Sequence, residues 1–218
     1  MGMTLSLALA SALDDGLALT PPRGWRSWNS MLLNVSQGKV LAQAAALARE
    51  YPDLGPSLLA LNYSEVGIDD GWQKCHAGVN GTFHDANGFA IWDVVKFPDA
   101  KAMVREAKTR YGVGIGWYGN NCACAERQGH AWPWYGGGHP RQDAQMAFDL
   151  GFSGIKIDGC GPALNISLWT DEVRSCSTNA NPNVGPSMAV LGCDCSQLCC
   201  CSGPVLAAAP SGQHGNDH

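Results

Sequence analysis

Four apolar, strand-like runs recur along this chain, and each ends in polar or aromatic residues. They cover residues 23–29, 65–72, 112–121 and 154–158, and their starts lie about 40 to 48 residues apart. Helix-favouring segments lie between the runs, so the chain reads β-α-β-α. This order favours a parallel sheet with right-handed crossovers, in either a doubly wound fold or a barrel.

The ends of the runs favour the barrel. None of the four leads through G-x-G-x-x-G into a helix, so a dinucleotide-binding fold lacks its main support. In the fourth run, Ile155 and Ile157 point to one face and Lys156 and Asp158 to the other. A (β/α)8 TIM barrel packs its apolar strand face on helices and places its chemistry at the carboxyl ends of the strands. The sequence therefore predicts an α/β fold, with about the first four βα units of such a barrel in residues 13–174.

The two ends of the chain differ from this middle part. Residues 1–12 close with Ala10-Ser11-Ala12, a pattern typical of a signal-peptide cleavage site, although the short apolar run and the lack of a preceding basic residue leave a frayed N-terminus as the alternative. Residues 175–218 are rich in Gly, Pro, Ser and Cys without lasting periodicity, which predicts an irregular or disordered tail. Its CDCSQLCCC segment lacks paired C-x-x-C arms at zinc-finger spacing, so we expect no metal site.

Charge and hydropathy exclude some classes of partner. The 218 residues carry a net charge of -5, which gives no basic face for nucleic acid and the wrong sign for an anionic membrane surface. No stretch approaches the roughly 18 consecutive apolar residues needed to span a bilayer. We therefore expect neither nucleic acid nor a membrane as a partner.

A lysine and an aspartate share one face at the end of the fourth run. A cation such as Lys156 within a few ångströms favours the charged form of Asp158. An ionised carboxylate in a pocket can act as a nucleophile at the anomeric carbon of a sugar. Taken alone, however, K-x-D is more often a plain ion pair that closes a barrel.

Two adjacent acids, Asp69 and Asp70, end the second run. They would repel each other without hydration, and a pocket that offers several hydroxyl donors would relieve that repulsion. A sugar or a metal ion would suit such a pair. The alternatives are a helix cap and a solvated turn.

Taken together, these stretches resemble glycoside hydrolase family 27, the α-galactosidases (melibiases) and α-N-acetylgalactosaminidases. The resemblance covers roughly residues 13–172 and is carried, in family order, by LDDGLALTPPRGWRSWN, GIDDGWQ, GTFHDANGFAIWDVVKFPDAKAMVREA, GIGWYGNNC and GFSGIKIDGCG. It implies a (β/α)8 barrel, no metal or organic cofactor, and retaining hydrolysis of terminal α-galactosides. The implied substrates are α-galactoside oligosaccharides or glycoconjugates. The implied location is the secretory pathway, either secreted or lysosomal or vacuolar.

The resemblance also implies residue roles. By its position in the motif, Asp158 resembles the catalytic nucleophile. Cys160 resembles a cysteine that forms a disulfide with one after the third strand, here Cys122 or Cys124. The implied galactose contacts are Lys156, Asp69 and Asp70, with Trp28 and Tyr118 as aromatic walls.

Two local departures from the family pattern affect what we expect. Gly71 stands where the family motif often has a cysteine, which predicts that an early disulfide is absent. The Trp/Gly-rich segment AWPWYGGGHP, residues 131–140, either lines the cleft or forms an ordered surface loop.

The third departure is the missing general acid/base. In the family this residue is an aspartate on a later strand, and we find no candidate for it. Asp171 and Glu172 follow the fourth strand too closely, and Asp194 and Asp217 lie in the tail. Hydrolysis with retention needs two carboxyl groups about 5 Å apart, and this sequence offers only one of them. We therefore expect a truncated hydrolase that lacks its acid/base. The alternatives are a non-catalytic galactose-binding remnant and an unstable product, because half a barrel exposes two sheet edges.

Overall fold

The computed structural model describes residues 22–120, 123–124, 126, 139–158, 166–180 and 189–193, with only the backbone described for 177–180 and 189–193. Within these ranges, no helix has both the length and the apolar character needed to cross a membrane. The helices and strands follow the order β1 (Gly24–Arg26), α1 (Trp28–Met31), α2 (Gln37–Ala48), β2 (Glu65–Gly67), α3 (Ala100–Tyr111), β3 (Gly114–Asn120), α4 (Pro140–Leu150), β4 (Gly154–Asp158), α5 (Ile166–Ala180) and β5 (Ala189–Cys193).

The five strands form one parallel sheet in the order β1-β2-β3-β4-β5. Every crossover therefore steps in the same direction, whereas a doubly wound sheet reverses direction at a switch point. Right-handed crossovers that all step one way place their helices on one face of the sheet. Accordingly, α2 packs against α3, α3 against α4, and α4 against α5. This arrangement is that of successive units in a (β/α)8 barrel.

The residues on the strands explain how the sheet is covered. Ile115, Trp117 and Ile155 are fully buried, as the predicted apolar face requires. On the other face of β3, Gly116 leaves room for a neighbour, because a Cβ atom there would lie 2.7 Å from Oε1 of Glu65. The alternation predicted for β4 is therefore present, and β3 alternates bulky and small residues in the same way.

Local signals set the ends of the helices before β3 and β4. The Asp99 side chain caps α3 by accepting a hydrogen bond of 2.8 Å from the backbone N–H of Ala102. Gly112 ends α3 in the left-handed conformation, with φ of 72°. Pro140 occupies the first turn of α4, and Gly151 ends that helix with φ of 84°. Both helices therefore end at a glycine that takes the left-handed conformation.

The predicted boundary of an irregular tail at residue 175 is wrong. Helix α5 continues through it to Ala180, and β5 pairs with β4 inside the range predicted to be irregular. The α5 segment SCSTNA has modest helix propensity, and β5 is a short run among Gly and Cys residues. Pairing with β4 satisfies the backbone of β5, which local propensity does not reveal. Residues 1–12 and 194–218 lie outside the described residues.

Candidate active site

Strands β3 and β4 bring polar side chains together at their carboxyl ends. Tyr118 is the register partner of Lys156, and Asn120 is the register partner of Asp158. Residues two apart on a strand share a face. The four side chains therefore form a compact group at the sheet edge where a barrel carries its chemistry.

A chain of hydrogen bonds runs through this group to Asp158. The Tyr118 hydroxyl donates to Oδ2 of Asp158 over 2.8 Å, and Nδ2 of Asn120 donates to that same hydroxyl oxygen over 2.9 Å. Oδ1 of Asn120 in turn accepts from the backbone N–H of Ala123 over 2.8 Å. Burial, and then the negative charge of Asp158, raise the pKa of Tyr118. The phenol therefore stays protonated and keeps its role as a donor.

Asp69 joins the group from the end of β2. Its Oδ2 lies 2.7 Å from Nζ of Lys156, and the carboxylate is almost fully buried. The Asp69 backbone N–H donates to Oγ of Ser27 over 2.9 Å, which ties the end of β2 to the end of β1. Nζ of Lys156 also lies 4.9 Å from the centroid of the Tyr118 ring, within range of a cation–π contact. Lys156 thus links the second, third and fourth strands.

Asp70 and Trp28 complete the set predicted from the sequence. Burial raises the pKa of Asp70, and the negative charges of Asp69 and Asp158 raise it further. Asp70 is therefore close enough to both acids to be repelled by them. Trp28 begins α1 just after β1 and is 40% exposed. It shares the carboxyl edge, but within the described ranges its side chain has no hydrogen bond or ring contact with the others.

The disulfide differs from the one that the family resemblance implied. Cys75 is bonded to Cys124, with Cα atoms 5.1 Å apart, so the pairing of Cys160 with Cys124 is wrong. The alternative partner, Cys122, lies outside the described residues, as does Cys160. The Cys75–Cys124 bond is not the early disulfide expected to be absent, because that expectation concerned a cysteine at position 71, where this chain has Gly71.

Gly71 itself has a physical reason to be glycine. Its φ is 103°, and a Cβ atom there would lie 2.7 Å from the backbone oxygen of Leu33. A cysteine, like any L-residue, would be strained at this position. Cys75, which forms the observed bond with Cys124, stands four residues after Gly71 in the sequence.

A second charged group, which the sequence analysis missed, lies beside this disulfide. We call His84, Glu126 and Asp143 the buried triad. Nδ1 of His84 lies 2.7 Å from Oε1 of Glu126, and Nε2 lies 3.1 Å from Oδ1 of Asp143. All three side chains are at most 6% exposed. The triad joins the loop after β2, the loop after β3 and the start of α4.

The charge state of the buried triad follows from its geometry. A neutral imidazole donates from only one nitrogen, whereas both nitrogens of His84 face carboxylate oxygens. Burial alone lowers the pKa of His84, but Asp143 and Glu126 outweigh burial and raise it from 6.5 to about 9. Burial also raises the pKa of Asp143, while the hydrogen bond and charge of His84 oppose that rise. We therefore treat His84 as an imidazolium at neutral pH.

The first group combines an oriented acid with further polar groups. Asp158 is a carboxylate oriented by a phenol, and Asp69 and Lys156 offer acceptors and donors for hydroxyl groups. Among the described residues, no cluster of three or more His, Cys, Asp or Glu side chains is arranged to hold a metal ion. The predicted loop at residues 131–140 falls outside the described residues except for its last two positions.

Comparisons with known proteins identify relatives of this chain. No protein-family model matches the chain. It is 31% identical over 174 residues to a probable α-galactosidase B of Penicillium simplicissimum, covering 79% of this chain and 35% of that protein. It is 29% identical over 179 residues to a probable α-galactosidase of Dictyostelium discoideum, covering 81% and 41%. The crystal structure of α-galactosidase I from Mortierella vinacea superimposes with a TM-score of 0.56 and 25% identity, covering 83% and 42%. The chain thus spans about two fifths or less of the length of these relatives.

Proposed function

Because this chain belongs to glycoside hydrolase family 27, we propose that it forms the galactose-binding and nucleophile-bearing part of a retaining α-galactosidase. The observation that carries the proposal is the hydrogen bond of 2.8 Å between the Tyr118 hydroxyl and Asp158, at the carboxyl edge that also holds the Lys156–Asp69 ion pair. An oriented carboxylate beside polar groups that suit sugar hydroxyls is what a glycosyl-enzyme mechanism requires.

In the proposed reaction, a carboxylate oxygen of Asp158 forms a bond to the anomeric carbon of a terminal α-galactoside. The bond from that carbon to the leaving-group oxygen breaks, and its electron pair stays with the oxygen. Lys156, Asp69 and Asp70 hold the galactose hydroxyls, and Trp28 and Tyr118 flank the ring. Water then attacks the anomeric carbon as the bond from that carbon to Asp158 breaks, which releases galactose and restores the Asp158 carboxylate. The proton that the water loses goes to solvent, and the leaving-group oxygen takes one proton from solvent.

The proposal assigns only one of the two carboxyl groups that retention uses. A natural galactoside has a poor leaving group, and protonation of such a group is typically worth about 10²- to 10⁴-fold in rate. Since we find no general acid in this sequence, we expect negligible turnover of natural α-galactosides. An activated galactoside depends much less on that proton and should still react slowly at Asp158.

Intact-mass measurement after incubation with an activated, mechanism-based fluorogalactoside tests the proposal. The unchanged chain should gain one fluorogalactosyl group, because the fluorine that remains on the sugar slows the second step. Asp158→Asn should gain none, since an amide is not a nucleophile, and Asp53→Asn, at an exposed site, should react like the unchanged chain. Labelling of Asp158→Asn would show that the nucleophile is another residue.

A non-catalytic galactose-binding role is the second candidate, and the lack of a recognised acid/base favours it. It predicts saturable galactose binding in ligand-observed NMR, weakened in Asp69→Asn, without covalent labelling. A third candidate is an unstable product, because β1 and β5 are the edge strands of the described sheet. It predicts the absence of a cooperative unfolding transition.

The proposed location is the secretory pathway, as a secreted, lysosomal or vacuolar protein. The Cys75–Cys124 disulfide supports it, because structural disulfides persist in oxidising compartments and are rare in the cytosol.

A further inference from the structure

Asn120 lies at the end of β3, directly across from Asp158 in the sheet register. Among its contacts with other described residues are two hydrogen bonds of opposite sense, since Oδ1 of Asn120 accepts from the backbone N–H of Ala123 and Nδ2 donates to the Tyr118 hydroxyl. A backbone N–H can only donate, so the contact with Ala123 fixes which end of the amide faces Tyr118.

That orientation limits what the Tyr118 hydroxyl can do. The hydroxyl has a single proton, and an amide NH₂ group can donate to the phenol oxygen but cannot accept from it. Accepting from Asn120 therefore leaves the phenol proton for the other partner, Oδ2 of Asp158, 2.8 Å away. Tyr118 is only 3% exposed, so water does not readily substitute for either contact.

We propose that Asn120 is a positioning residue for the reaction at Asp158, because it directs the Tyr118 proton to the nucleophile. This inference rests on the proposed function. Asn120 itself does not touch the reacting atoms in this scheme. Its effect passes through Tyr118, which holds one oxygen of Asp158 and so fixes the plane of the carboxylate for attack on the anomeric carbon.

The substitution Asn120→Asp separates this role from the anchoring of the loop. Aspartate has nearly the same shape and still accepts from the Ala123 N–H, but it has no N–H to offer Tyr118. The phenol proton is then shared between two carboxylates. Hydrogen bonds to charged groups are the stronger ones, so covalent labelling by the fluorogalactoside should slow by roughly tenfold or more. Tyr118→Phe should slow it by a similar factor, and Asn87→Asp, the same change at an exposed loop position, should leave it unchanged.

The double variant Tyr118→Phe/Asn120→Asp decides the mechanism. If Asn120 acts through Tyr118, adding Asn120→Asp to Tyr118→Phe should slow labelling no further. If Asn120→Asp instead slows labelling by adding a charge near Asp158 or by displacing the loop, it would still slow labelling when the Tyr118 hydroxyl is absent. A further slowing of about tenfold in the double variant would therefore overturn the proposal, as would an unchanged rate in Asn120→Asp alone.

A measurement that does not need activity separates this inference from the proposed function. In protein labelled with ¹³Cζ-tyrosine, the Tyr118 signal is the one missing from Tyr118→Phe. Its chemical shift should change in both Asp158→Asn and Asn120→Asp. A change in the first variant alone would overturn the Asn120 contact. If the Tyr118 signal changes in both variants but the fluorogalactoside does not label the unchanged chain, the proposed function fails while the hydrogen-bond chain stands.

Discussion

The site group, by which we mean Asp69, Asp70, Tyr118, Lys156 and Asp158, and the buried triad both contain charged residues, and they differ in what those charges face. In the triad, one imidazolium lies between two carboxylates, and all three side chains are at most 6% exposed. In the site group, three carboxylates, Asp69, Asp70 and Asp158, lie close to one lysine. Among the described residues, this lysine, Lys156, forms an ion pair with Asp69. The triad holds each of its carboxylates against the His84 ring, whereas in the site group Asp70 is repelled by Asp69 and Asp158.

This difference fits the proposed roles, in which the charges of the triad hold the fold and those of the site group bind a sugar. The triad links two loops to α4, next to a disulfide that anchors the loop after β3. In the site group, mutual repulsion raises the pKa of Asp70 above its usual range, after the larger effect of burial. A protein maintains such unfavourable charge where a ligand supplies the missing donors. Removing the cation of the triad should therefore destabilise the fold, whereas neutralising Asp70 in the site group should stabilise it.

The largest effect is expected from His84→Leu. It leaves Glu126 and Asp143 buried without a cation, and loss of one partner from a buried ionic group costs about 3–5 kcal/mol. Denaturant unfolding at pH 7 measures this loss. The variant His84→Leu/Glu126→Gln/Asp143→Asn, which also removes both negative charges, should regain part of it. A loss below about 1 kcal/mol for His84→Leu would mean that the triad does not hold the fold.

The pH dependence of stability is a second test of the triad. Because the pKa of His84 is raised from 6.5 in the unfolded chain to about 9 in the fold, its contribution is fully present below pH 6.5. It is lost as the pH rises through about 9, which amounts to about 3 kcal/mol over that window. The groups that face His84 are Glu126, Asp143, His139 and Asp85.

Unfolding free energies measured from pH 6 to pH 10 check this prediction. His84→Gln should remove most of the fall across the window. His76→Asn should retain the fall, because His76 is exposed and asparagine tolerates its left-handed backbone. An equal fall in His84→Gln and in the unchanged chain would assign the pH dependence to other groups.

The two regions also differ in how far the sequence predicts them. The site group follows from local patterns, because Tyr118, Lys156 and Asp158 end strands whose alternation and spacing are visible in the chain. The buried triad joins residues 42 and 59 positions apart, and no local motif indicates that pairing. The Cys75–Cys124 bond is similar, since its separation of 49 residues is set by how the loops meet. Strand β5 was missed because its pairing with β4, rather than its own propensity, makes it a strand.

The smallest effect is expected from Asp70→Asn, and its sign opposes that of His84→Leu. Since the folded-state pKa of Asp70 is raised, its ionised form lowers stability at neutral pH, and that penalty disappears as the pH falls through the raised pKa. Asparagine keeps an acceptor for the Gly71 N–H that now bonds Oδ1 of Asp70 but carries no charge. Asp70→Asn should therefore raise the unfolding free energy at pH 7 by about 0.5–1 kcal/mol, with a smaller gain at pH 4.

Galactose binding by Asp70→Asn should weaken by roughly tenfold, because a sugar hydroxyl loses its charged partner. Asp53→Asn, at an exposed position, provides the control for both measurements. A loss of stability in Asp70→Asn at pH 7 would place Asp70 with the structural charges of the triad and remove it from the proposed sugar subsite.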